Sequence, residues 1–370
     1  MTRTVALILC GLGLATAACE SSSKEEKGEE PINDGGASTS ALYVANGSTS
    51  SVSILDPDTL KLIETLELDS EYRPHHWALS PDGKAALLSA PNVDLSDGHG
   101  GSAQEPDAGG SPGGGAHGAG HGGGSPASAV MSAVYRIDTA TRKATRLAEI
   151  DATVHNAAYT RDGKQVLLGM MEHGMLTAYD AGSFKELWSL DVGEMPLEVS
   201  PTPDGKTALV ALSGSAQLAV VDLVTKKSSN LPVGMVPIAA WLSGGSAYVT
   251  NEGDKSVSIV SLKTLAVEST FAAGGTPGQA FVSPDGEELW IALEDAGKLR
   301  IADPKSGKKV AEFSAGVKPH GIAFEPSGKR VFVTDEGDGK VLVFDRVKRQ
   351  LLGRIEVGGE PNGILWVGKP

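Results

Sequence analysis

Thiols are almost missing from this chain: among 370 residues only Cys10 and Cys19 occur. Cys10 lies in the apolar stretch from Val5 to Leu14, which is too short to span a bilayer and follows the positive Arg3, as in a secretory leader that is removed. A mature chain would keep Cys19 alone, so an internal disulfide and paired-thiol chemistry are both excluded. Basic clusters are missing as well. Lys and Arg number 32 against 46 Asp and Glu, a formal charge of −14 with a pI near 5.0, which argues against nucleic acid as a partner. No nucleophile elbow, phosphate loop, HExxH helix or pair of catalytic carboxylates is present, so the commonest hydrolase and nucleotide signatures are excluded too.

What the chain does have is a phrase of about forty residues that recurs six times and begins a seventh. One copy runs Pro319-His320-Gly321-Ile322-Ala323-Phe324, then Pro326-Ser327-Gly328-Lys329, then Arg330-Val331-Phe332-Val333-Thr334. It continues through Lys340-Val341-Leu342-Val343-Phe344-Asp345 to Leu351-Leu352-Gly353-Arg354-Ile355. Each piece is a short β-branched or alternating run bounded by turn residues, so each copy supplies four strands. The glycine of the first turn falls at 83, 163, 205, 245, 286 and 328, with steps of 42, 40, 41 and 42 after an initial step of 80. One insertion, residues 91–128, rich in Gly, Ser and Pro, accounts for that long step. The repeat predicts an all-β, seven-bladed β-propeller of four-stranded blades over residues 41–370. Its ring is closed by Ala41-Leu42-Tyr43-Val44-Ala45-Asn46, a second strand without a first, pairing with Pro361-Asn362-Gly363-Ile364-Leu365-Trp366-Val367, a first strand without a second.

Ahead of the ring, Ala15-Thr16-Ala17-Ala18-Cys19 resembles the lipobox of bacterial lipoproteins, which implies a signal peptide over 1–18 and lipidation of Cys19. Glu20 after the cysteine resembles the sorting signal for the outer membrane. Residues 19–40, polar and rich in Ser, Glu, Lys and Gly, read as a flexible tether. The expected location is the cell envelope, lipid-anchored in the outer membrane and facing the periplasm or the surface.

The repeat itself, with Ser246-Ala247-Tyr248-Val249-Thr250-Asn251, Ser283-Pro284-Asp285-Gly286 and Ser256-Val257-Ser258-Ile259-Val260, resembles the YVTN-type propeller repeat. The resemblance implies the fold over the whole ring and little about activity. That repeat is similar to surface-layer proteins, to lactonase-like propellers and to haem-d1 domains. Function has to be read from sites.

Histidine is scarce, eight in all, and its placement follows the repeat. Eight positions before the turn glycine stand His75, His155, Leu197, Gly278 and His320, with Ile238 and Asn362 at the equivalent places. The start of each first strand should lie at one mouth of the central channel. His320, Asn362, His75 and His155 would then form a polar arc facing an apolar arc from blades four to six. His76 adjoins His75. His173 and the insertion's His99, His117 and His121 fall in loops of the same face. Neutral imidazoles converging on one axis suit zinc or copper, and Glu198 and Glu172 can add a carboxylate. The competing expectation, implied by the resemblance, is structural: Pro-His-Gly recurs in this repeat, with the ring bonding neighbouring backbone. The acidic segments Asn251-Glu252-Gly253-Asp254 and Asp335-Glu336-Gly337-Asp338 read as tight turns between strands rather than calcium loops. Trp77, Trp188, Trp241, Trp290 and Trp366 read as core between blades.

The reading that follows is a monomeric, non-enzymatic binding propeller on a membrane tether. It holds a zinc-like transition metal, or a partner protein or small ligand, at its histidine-rich face. In plan it resembles periplasmic zinc-chaperone propellers. The alternatives are a lactonase-like, metal-assisted hydrolase using His75, His155, His320 and Glu198, and a pure interaction scaffold.

Overall fold

The computed structural model describes residues 40–95 and 130–368. The expected leader, nearly all of the expected tether with Cys19, and His99, His117 and His121 of the insertion therefore lie outside the described residues. Within them the chain forms seven four-stranded antiparallel sheets, each built in chain order except the first. Blade one takes its inner strand from the far end of the sequence: Pro361–Val367 pairs with Ala41–Asn46, which leads to Ser51–Asp56 and Lys61–Glu67. The closing register sets Leu42 opposite Trp366 and Tyr43 opposite Leu365. The ring expected from the repeat is thus a seven-bladed propeller closed by its own two ends.

Burial follows strand position within each blade. Second and third strands such as Arg330–Asp335 and Lys340–Asp345 are buried along almost their whole length, because both faces of the sheet meet a neighbouring blade. Outer strands such as Lys61–Glu67 stay largely exposed. The core accordingly divides into seven apolar layers between blades. Between blades one and two, Tyr43, Val52 and Ile54 pack against Leu88, Tyr135 and Ile137. Between six and seven, Trp290 is fully buried and meets Phe324 edge to face at 5.9 Å. The other tryptophans are only partly buried, and Trp241 packs against the layers on both sides of its blade, 4.9 Å from Phe281.

The turn glycines carry the backbone conformation that the repeat requires. Gly83, Gly163, Gly205, Gly286 and Gly328 all have φ between 69° and 78°, the left-handed region that costs a side chain strain. Blade five differs: there Gly244, not Gly245, takes the positive φ.

One further device positions the site. Where first strands start, the pairing slips by one residue: between Pro196 and Val199, Pro237 and Ala239, Pro277 and Ala280, Pro319 and Ile322, and opposite Val44 and Asn46 for Pro361 to Ile364. In blade two, His75 donates its N–H to Ser89 while Ser89 donates its own to His76, so two residues oppose one. Such a bulge turns a strand locally and leaves two successive side chains on the same side. Each of these first strands can therefore present a pair of residues at the channel mouth rather than one.

Removing residues 361–370 should leave blade one without its inner strand and Ala41–Asn46 as an open, apolar sheet edge. The expected result is loss of a single cooperative melting transition, with aggregation on heating. Calorimetry and light scattering of the truncated and full chains would measure it.

Candidate functional site

The first strands of blades two, three and seven, at or just before their starts, bring four imidazoles together. His75, His76, His155 and His320 are each at most 5% exposed, although they come from sequence positions up to 245 apart. His75 and His76, successive in the chain, stack with ring centroids 4.4 Å apart. His155 meets His75 edge to face at 4.4 Å and His76 at 4.6 Å. The Nε2 atoms of His75 and His155 lie 3.1 Å apart, and those of His76 and His320 lie 3.3 Å apart. Each of His75, His76 and His155 offers one ring nitrogen within 4.8 Å of the other two.

Carboxylates hold the outer nitrogens. Glu198, from the bulge of blade four, contacts His76 Nδ1 and lies 3.6 Å from His155 Nδ1. Glu294, from the loop after the second strand of blade six, accepts from His320 Nδ1 at 2.7 Å. Glu336 stands 3.8 Å from the same nitrogen, held by the side-chain amide of Asn362 and by Lys318 Nζ at 2.9 Å. Burial alone works against the charged ring of His320. The Glu336 and Glu294 carboxylates outweigh it and lift its pKa from 6.5 to about 9.

A carboxylate can only accept here, so the Nδ1 atoms of His76 and His320 both carry their protons. Neutral rings in that tautomer present two lone pairs to each other across 3.3 Å. Only a positive charge between them, a proton or a metal ion, makes that approach favourable.

Neighbouring polar residues serve the ring itself. Asn156 accepts from Val199 N–H and donates to the Val199 carbonyl, and Gln279 accepts from Ile322 N–H; each ties one first strand to the next.

Several expectations need correction. The arc from blades four to six is not apolar: Leu197 and Ile238 are buried apolar residues as expected, yet Glu198, Gln279 and Glu294 reach in beside them. His173 does not join the group. It stands exposed at the end of the short 3-10 helix Met171–His173. The Glu172 carboxylate is spent on the N–H and hydroxyl of Thr153, at 2.7 and 2.6 Å. Asp335-Glu336-Gly337-Asp338 does form a turn, but its Glu336 points inward and is a buried part of the site. Glu294 and Glu336 were missed because nothing local marks a loop carboxylate as inward-facing. The one available signal was their shared place after a second strand, where the chain returns to the mouth.

Above the cluster, a cavity of about 20 Å³ is lined by His75, Asn362, Glu336, Arg73, Asp94 and Glu360. Arg73 bridges the two outer carboxylates, pairing with Glu360 and, at 2.9 Å, with Asp94. Larger hollows, of about 330 and 260 Å³, are lined by Asp162 and Asp204, and by Asp204 and Leu265; they belong to the turns at the other end of the first strands.

A closed ring of seven four-stranded antiparallel blades defines the chain as a β-propeller. The chain belongs to the YNCE-like beta-propeller family, whose model matches residues 129–326. Among solved structures it is similar to a periplasmic gluconolactonase of Pseudomonas aeruginosa, with 18% identity over 90% of this chain and 99% of that one and a TM-score of 0.64. It is also similar to the hydrazine synthase of Kuenenia stuttgartiensis, with 19% identity over 78% and 88% and a TM-score of 0.58. A third is the dihydro-heme d1 dehydrogenase NirN, with 16% identity over 89% and 75% and a TM-score of 0.59. At these identities the likeness is one of fold. No curated protein matches the chain.

The raised pKa of His320 makes a stability contribution with a defined sign. It is fully present below the ordinary value of 6.5 and is lost as pH rises through about 9. In metal-free protein, Glu294→Gln should lower the melting temperature at pH 6, and the gap from wild type should narrow above pH 9. Melting curves across that range, with the imidazole NMR signals followed in parallel, would check it.

Proposed function

We propose that this protein is a non-enzymatic binding propeller that holds a transition-metal ion, zinc or copper, between the imidazoles at its channel mouth. His75, His76 and His155 would supply nitrogens from one side and His320 from the other. The observation that carries the reading is the facing of the Nε2 atoms at 3.1 and 3.3 Å. Ligand nitrogens around a tetrahedral zinc, each about 2.0–2.1 Å from the ion, lie about 3.3 Å from one another. Carboxylates behind the rings give the usual outer support of ligating histidine. No sulfur ligand is needed, and borderline ions suit an all-nitrogen set.

A lactone-hydrolysing role draws support from the gluconolactonase of the same fold. The cavity over the histidines weighs against it: about 20 Å³ holds roughly one water, whereas pockets for small organic ligands run to about 300 Å³ or more. The leader, the Ala17-Ala18-Cys19 sequence and the polar segment after it support a lipid-anchored protein of the cell envelope. The acidic charge supports a partner other than nucleic acid.

Purified protein should take up one equivalent of Zn²⁺ with micromolar or tighter affinity by calorimetry. Uptake should survive removal of residues 95–125 and fall at least about tenfold in His155→Ala. Uptake that disappears with the loop would move the ion to a surface segment, and no uptake at all would leave an interaction scaffold. Lactone hydrolysis by the zinc-loaded protein would favour the enzymatic alternative.

A further inference from the structure

Resting on the metal-binding reading, we infer that the site is charged and shaped for a divalent cation, with Glu294 as the positioning residue for His320 and Gly278 as the space that admits Glu294. Two independent features lead there, one of charge and one of shape.

The first is the count of buried charge. Glu198, Glu294 and Glu336 are all largely buried around the four imidazoles, with side chains 5, 11 and 3% exposed. Lys318 pairs with Glu336 at 2.9 Å and cancels one of the three negative charges. Glu198 and Glu294 remain, each spent on a histidine Nδ1. Uncompensated charge at such depth is costly, and imidazoles that ligate an ion through a lone pair are neutral and offset none of it. An ion carrying two positive charges, seated among the inner nitrogens, balances the pair; a monovalent ion leaves one charge over. The Arg73, Asp94 and Glu360 contacts lie at the rim, where water screens them.

The second feature is a missing side chain. Gly278 occupies the position that is histidine in blades two, three and seven. A Cβ placed on Gly278 would lie 2.4 Å from Glu294 Oε1 and 3.3 Å from His320 Nδ1. Neither φ nor a turn demands glycine there, since the residue lies within the strand Pro277–Val282. The bare Cα is what lets the Glu294 carboxylate cross in front of blade six and reach His320. The proton on Nδ1 is thereby fixed, and Nε2 is turned toward His76 as a fourth nitrogen. With the nitrogens that His75, His76 and His155 bring within 4.8 Å of one another, His320 would complete a set of four, the arrangement of ion-holding rather than catalytic sites.

The test is Co²⁺ uptake, read by visible absorption and competition with Zn²⁺. The proteins compared are the full chain, Glu294→Gln, Gly278→Ala and the double variant. Wild type should bind one Co²⁺ with the intense bands of a four-coordinate ion. Each single variant should bind about 10–100-fold more weakly with reduced band intensity. The double variant should lose little more than either single one, because both act on one contact. Ag⁺, a nitrogen-binding monovalent ion, should fail to displace Co²⁺ at equal concentration. If wild type takes up no Co²⁺, the metal reading fails and this inference with it. If wild type binds while Glu294→Gln and Gly278→Ala match it within about twofold, the positioning role is overturned and the metal reading stands. Displacement by equimolar Ag⁺ overturns the charge match. Melting of the metal-free variants controls for folding, and Glu294→Gln alone decides the positioning role if Gly278→Ala does not fold.

Discussion

The pairing of Ala41–Asn46 with Pro361–Val367 fixes the distance across the channel, and every contact at the mouth inherits that distance. An open stack of blades could twist or slip, and the imidazoles of blades two, three and seven would have no fixed separation. Closure converts them into a set whose nitrogens meet at 3.1 and 3.3 Å. The same pairing carries Asn362 into place, and Asn362 in turn holds Glu336 beside His320. Seven separate apolar layers between blades share the load, so the ring is stiff without a single central core.

Within that frame the one-residue bulge at the first strands does most to build the site. Regular alternation would send His75 and His76 to opposite faces of the sheet. The extra residue opposite Ser89 keeps both at the channel. The same bulge gives blade four a buried leucine and a buried glutamate side by side, Leu197 and Glu198. Burying this many polar groups is unfavourable unless each is answered, and here they answer one another: imidazole to imidazole, imidazole to carboxylate, carboxylate to Lys318 and Asn362.

The blade count, the four strands per blade, the closure by the two ends and the convergence of His75, His155 and His320 were all legible in the sequence. Each follows from a repeat period and from residues at matching places within it, which any copy of the repeat must share. The fully buried Trp290 matched its expected role, and Trp241 packs against the layers on both sides of its blade while standing 6.2 Å from the His76 ring. His173 showed the limit of that reasoning: the correct loop did not imply the correct direction, and its side chain turned to solvent.

Periodicity in the chain thus determined the ring and which residues begin each first strand, because hydrophobic and turn patterns are local and repeat with the fold. Only the tertiary structure decided that Glu294 and Glu336 enter from blades six and seven, that Glu198 meets both His76 and His155, and that Gly278 leaves the room Glu294 occupies. The physical reason is that a loop carboxylate's direction depends on the charge it finds across the channel. That charge belongs to other blades and leaves no trace in the residues beside it.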